Sequence, residues 1–142
     1  MKRESEIGLL ILRLSLGVFL LLFGIDKLVA PHTAAAVFMH YYGLDVIPGA
    51  LVYGAGLLEI VLSLAILAGF WKTLSYGLGL ALHAVSTLVT YRELLSPFGE
   101  NHMYLAAVPV LAGFVTLFLL RRHDVLWSLG AGRPVGGGVS WS

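Results

Sequence analysis

PGALVYGAGLLEIVLSLAILAGFW, residues 48–71, is long and apolar enough to cross a bilayer, and it carries one carboxylate, Glu59, near its centre. A charged side chain at that depth is costly and marks a candidate site. Three further apolar runs follow the same rule, at 7–29, 74–91 and 103–120. The composition agrees: 58% of the 142 residues are hydrophobic and only 12% are charged, too few to cover the surface of a water-soluble domain. The expected fold is an all-α polytopic membrane protein, a four-transmembrane-helix bundle. Residues 1–6 form a cytoplasmic N-terminus, 7–120 the membrane domain and 121–142 a cytoplasmic Gly-rich tail, expected to be unstructured beyond Leu129.

The first run is longer than a signal-peptide core, holds Arg13 inside it and lacks a small-residue cleavage site, so it reads as a retained helix. Orientation follows from the basic residues. Lys2, Arg3, Lys72, Arg121, Arg122 and Arg133, six of the nine, fall on one side, which places both termini in the cytoplasm and the chain in the inner (plasma) membrane. The net charge of +1 carries no basic patch, so nucleic acid is excluded as a partner. There is no cysteine, which excludes thiol–disulfide chemistry, iron–sulfur clusters and thiolate-bound metal in this chain.

Pro31 breaks the first helix, and Thr33 can cap a short interfacial helix between helices 1 and 2 that runs to about Tyr42 and stops at Gly43. Phe38, Met39, Tyr41 and Tyr42 near its end suit the headgroup level. Arg13, Gly17, Gly24 and Lys27 share a face of the first helix, where the glycines permit close approach of a neighbour. Arg13 is placed either to snorkel to the interface or to meet a carboxylate from another helix.

The third run has the clearest pattern. Tyr76, Gly79, His83, Ser86, Thr87 and Thr90 form a polar stripe at helical spacing, which points to the bundle interior, with His83 near the depth of Glu59. Ser and Thr alone could serve only by bonding the backbone one turn earlier. In the fourth run Pro109 is expected to kink the helix and free a carbonyl. His32, His40 and His102 lie on the outer side without the spacing of a metal motif, so no metal site is assigned.

The residues LRLSLG at 12–17 and FGIDKL at 23–28 resemble the first-helix signature of the DoxX family, an arginine and a glycine followed by Gly-x-x-Lys-Leu. Tyr42-Gly43-Leu44, the Glu59 helix ending in LAGF at 67–70, and His83 fall where that family has comparable features. The resemblance implies a small four-helix integral membrane protein and carries the family's polar positions onto Arg13, Lys27, Glu59 and His83. Some relatives, the DoxD-type subunits, belong to thiosulfate:quinone oxidoreductases, and others are linked to redox-stress complexes.

Three functions are then open. In a quinone-linked redox subunit, Glu59 and His83 are the catalytic candidates that bind the ring oxygens and pass protons. Arg13, Lys27, Tyr76, Ser86, Thr87, Thr90 and Arg92 are the substrate-binding candidates. The chain has no electron carrier, so this role needs other membrane subunits; haem is disfavoured because one histidine alone lies at mid-depth. In a small proton-coupled transporter, Glu59 alternates between proton and substrate, in a homo-oligomer. In a non-catalytic assembly subunit, the polar groups fix helix register. All three have the lipid bilayer as partner.

Overall fold

The computed structural model describes residues 2–130, and every regular element among them is a helix. The order is α1 (Arg3–Val29), α2 (Pro31–Tyr42), α3 (Gly49–Ala68), α4 (Lys72–Val89), α5 (Tyr91–Leu95), a 3-10 helix (Gly99–Ala106) and α6 (Ala107–Leu119). The end of the bundle where α1 starts is called proximal here, and the end where it finishes distal. The Gly-rich stretch expected to be unstructured falls, from residue 131 onward, outside the described residues.

α1 and α3 run antiparallel, and their glycines set the separation. A Cβ on Gly24 would lie 3.1 Å from the Gly56 carbonyl oxygen, and one on Gly56 would lie 2.9 Å from the Gly24 carbonyl oxygen. The two backbones therefore touch, as the small-residue stripe of the sequence requires. α4 packs chiefly on α6, with Gly79 admitting Ile66 of α3 and Phe114 of α6. Leu9, Leu16, Leu20, Ile66, Tyr76, Phe114 and Leu117 make the buried core that joins the two helix pairs.

Sharp turns follow from local chemistry. Gly69 takes the left-handed conformation (φ +63°) and lets the Phe70 amide reach back to the Ala65 carbonyl, a Schellman stop for α3. Trp71, also left-handed (φ +44°), then starts α4. Pro31 begins α2 instead of merely ending α1, because the first position of a helix needs no amide donor. The kink expected at Pro109 is replaced by a change of helix type: the 3-10 helix ends at Ala106, so the proline falls in the first turn of α6, where no amide bond is lost.

Three helical stretches, Arg3–Val29, Gly49–Ala68 and Gly99–Leu119, are long and apolar enough to cross a membrane. α4 reaches the length, but Lys72, Ser75, Tyr76, His83 and Thr87, all buried, make it less apolar than these three. Beyond α6 the described residues, to Gly130, stay against the bundle. Leu129 and Gly130 amides donate to the Ala68 and Gly69 carbonyls at 2.9 and 3.1 Å, and Ser128 Oγ donates to the Gly69 carbonyl at 3.2 Å. These bonds occupy carbonyls that the end of α3 leaves open.

Gly56→Leu should lower stability by about 1–3 kcal/mol, the usual cost of overpacking. Gly54→Ala, whose Cβ meets nothing within 4 Å, should leave it unchanged or raise it. Thermal unfolding in detergent micelles measures both.

Candidate functional site

Glu59 does not pair with His83. Its carboxylate accepts a hydrogen bond from Lys27 Nζ at 2.5 Å, an ion pair between α1 and α3. The Gly24–Gly56 contact brings the helices close enough, and side-chain direction does the rest. Side chains lean toward the N-terminus of their own helix, so in an antiparallel pair Lys27 leans proximally and Glu59 distally until they meet. Lys27 also donates to the Phe23 carbonyl at 3.3 Å, and its Nζ stands 6.0 Å from the Phe23 ring. A lysine two residues from a helix end ordinarily snorkels outward; this one folds back one turn.

His83 is held on three sides. Nε2 lies 3.0 Å from the Ala107 carbonyl oxygen, Phe114 stacks at 5.5 Å and Phe19 meets the ring edge-on at 5.6 Å. A carbonyl only accepts, so in the neutral ring Nε2 carries the proton and Nδ1 is the acceptor. Thr87, one turn on, donates to the His83 carbonyl at 2.8 Å, and Thr90 donates to the Thr87 carbonyl at 3.0 Å. Ser86 is exposed, off the buried face of the stripe.

Arg13 neither reaches Glu59 nor snorkels to the surface: it is 0% exposed. Its Nη1 donates to Asp124 Oδ1 at 2.8 Å, and Nη2 donates to the Leu126 and Trp127 carbonyls at 2.8 and 2.9 Å. Tyr76 donates to Asp124 Oδ2 at 2.6 Å, and Lys72 donates to the Asp124 carbonyl. One fully buried carboxylate thus gathers α1, α4 and the segment after α6 at the proximal end. Tyr76 belongs to this knot and not to a shared site with Glu59 and His83.

At the distal end Tyr41 of α2 shares a 2.7 Å hydroxyl–hydroxyl hydrogen bond with Tyr104 of the 3-10 helix and donates to Glu93 Oε1 of α5 at 3.4 Å. The bond to Tyr104, then burial, pushes the Tyr41 phenol above its ordinary range. Glu93 Oε2 is buried without a hydrogen-bond partner. Arg92 is exposed and turned to its neighbour, with Nε donating to Tyr91 Oη at 3.2 Å. Among the described residues no three His, Asp or Glu side chains converge as metal ligands.

The single interior site expected around Glu59 and His83 is therefore three: the Lys27–Glu59 pair, the His83 sandwich and the Asp124 knot. Phe19 and Phe23, 4.9 Å apart on α1, stand between the first two. Sequence reasoning missed Asp124 and Glu93, because each sits in an Arg-containing polar run that reads as membrane boundary. Lys72 served only as an orientation marker. Nothing local distinguishes these residues from solvated ones.

A helical bundle with three membrane-length apolar helices and two ion pairs inside it defines a small membrane protein. The chain belongs to the DoxX family, whose sequence profile matches residues 8–92, from α1 into α5. Arg13, Lys27, Glu59 and His83 fall within the match; Asp124 does not. No curated protein and no solved structure matches the chain.

Asp124→Asn should destabilise the protein by about 3–5 kcal/mol, since it leaves Arg13 buried and uncompensated. Arg13→Met combined with Asp124→Leu should cost less than Asp124→Asn alone. Chemical or thermal unfolding in micelles gives the comparison, and additive losses would contradict a coupled pair.

Proposed function

We propose that this DoxX-family protein is the quinone-facing membrane subunit of a redox complex whose electron carriers belong to a partner subunit. The observation that carries the reading is the contact of His83 Nε2 with the Ala107 carbonyl oxygen. With Nε2–H bonded to Ala107, Nδ1 offers a lone pair beside two phenylalanine rings, a setting suited to a lipid-soluble ring bearing hydroxyl or carbonyl oxygens. A quinone supplies two-electron, two-proton exchange in the bilayer. His83 would orient its ring and accept a proton from a ring hydroxyl, while the Lys27–Glu59 pair offers a donor and an acceptor at the other end of the Phe19–Phe23 edge. Absence of cysteine leaves electron transfer to the partner.

A second reading, an assembly subunit, is favoured by the internal pairing of Arg13 with Asp124 and Lys27 with Glu59, which fixes register without chemistry. The proton-coupled transporter has less support: a carboxylate that must alternate between proton and substrate is here engaged by Lys27.

We infer four spans, α4 being the one with the polar interior face, and α2 lying along the interface. The excess of Lys and Arg near the proximal end supports an orientation with both termini in the cytoplasm and the protein in the inner membrane. Because the chain has no cysteine, single substitutions report this cleanly. Ser5→Cys should react with a membrane-impermeant maleimide only from the cytoplasmic side, and Ser96→Cys only from the opposite side.

The functional test is purification from native membrane with extraction and mass identification of bound quinone. Wild-type protein should retain quinone and co-purify with a redox partner, and His83→Leu should bind menaquinone or ubiquinone in nanodiscs at least about tenfold more weakly, the worth of one hydrogen bond. Wild-type protein that holds no quinone and brings no partner would remove the redox role and leave assembly.

A further inference from the structure

We propose that Glu93, Tyr41 and Tyr104 form a site for one primary ammonium group at the distal end, supplied by the headgroup of an amine-bearing phospholipid.

The cluster stands between two parts of the fold. α2 packs on α1 and α3, whereas α5 and the 3-10 helix pack on each other and on α4 and α6. Among the described residues, the hydrogen bonds that cross from α2 to α5 and the 3-10 helix are those of Tyr41. The hydroxyl protons can be followed along them. Tyr41 has one and donates it to Glu93 Oε1 at 3.4 Å, so in the 2.7 Å bond between the tyrosines Tyr104 is the donor. Both protons are then engaged. What remains can only accept: a lone pair on Tyr104 Oη, and Glu93 Oε2, which is buried without a partner.

A ligand for such a set must be a donor, and the charges say of which kind. The ion pairs among the described residues are Arg3–Glu6, Arg13–Asp124 and Lys27–Glu59, so the Glu93 carboxylate has no cation. Its neighbour Arg92 is turned to Tyr91. A half-buried carboxylate without a counter-charge is unfavourable, and a bare buried oxygen makes it more so. A cation that donates to Oε2 relieves both. Asp26, Asp45 and Glu100, exposed at the same end, favour its approach.

Valence narrows the choice of cation. A metal ion takes several protein ligands, and no three His, Asp or Glu side chains converge among the described residues. A quaternary ammonium has no N–H to offer Oε2. A primary ammonium has three, enough for Oε2 and Tyr104 Oη with one left for water. Leu95, Phe98 and Met103, close to Glu93 and Tyr104 in the chain, are exposed and apolar, which suits acyl chains better than bulk water. An amine carried by a lipid is therefore favoured over a free one.

The full chain is placed in nanodiscs that hold equal amounts of phosphatidylethanolamine and phosphatidylcholine with the same acyl chains, and the retained lipid is identified by native mass spectrometry. Wild-type protein should keep phosphatidylethanolamine about tenfold over phosphatidylcholine, the effect of one charge-assisted hydrogen bond. Glu93→Gln should abolish the preference and Tyr104→Phe should lower it, whereas Glu100→Gln, a carboxylate lost at an exposed position of the same end, should leave it unchanged. A preference that survives Glu93→Gln with thermal stability retained, or that Glu100→Gln removes equally, overturns the site. If Glu93→Gln does not fold, Tyr104→Phe decides, and an unaltered preference there overturns it. The source of the amine is separated in nanodiscs of phosphatidylcholine alone, where ethanolamine is titrated against the Tyr104 Cζ signal in 13C NMR, assigned by its loss in Tyr104→Phe. A saturable shift that vanishes in Glu93→Gln, without lipid preference, keeps the ammonium site and rejects the lipid as its source. Neither preference nor shift in folded wild-type protein overturns the site itself.

Discussion

A charge removed from water must be compensated inside the chain, and the bundle is arranged around the place where Arg13 meets Asp124. Neither side chain has any exposure. In a low-dielectric interior an unpaired guanidinium is so unfavourable that the two cannot separate while the helices stay together. Asp124 also accepts from Tyr76, and its backbone carbonyl from Lys72, so the pair draws α4 in as well. Two of these parts, α1 and α4, also surround His83 farther along the bundle, joined there by α6, through Phe19, the imidazole itself, and Phe114 with the Ala107 carbonyl. What fixes the proximal end therefore also fixes the geometry in which a mid-bundle histidine has one committed nitrogen and one available one.

The helical architecture was legible because apolar length and small-residue periodicity are local properties. Gly24 lay on a stripe that permits close approach, and its partner is Gly56 of α3. The α4 stripe was equally legible: Tyr76, Gly79, His83 and Thr87 are buried together, as helical spacing required. Ser86, one residue aside, is exposed, which shows how narrow such a face is.

Pairing was where the sequence stopped being informative. Depth along a helix says which groups could meet, but rotation about its axis and the lean of each side chain decide which do. Glu59 and His83, expected at comparable depths, turn to different neighbours; Lys27, nearer its helix end, reaches Glu59 because antiparallel side chains lean toward each other. Asp124 gave no warning at all. It follows Arg121, Arg122 and His123, the usual marks of a membrane boundary, and its burial depends on a backbone course that only the folded end of α3 can dictate.

The position of Asp124 also orders the protein's biosynthesis. Lys27 waits 32 residues for Glu59 to be made, whereas Arg13 waits 111 for its carboxylate. The ribosome must therefore deliver α1 with an uncompensated guanidinium and keep it so while every other helix emerges. The Lys27–Glu59 contact can form as soon as α3 has been made, whereas the proximal end can close only after residue 124 has left the ribosome.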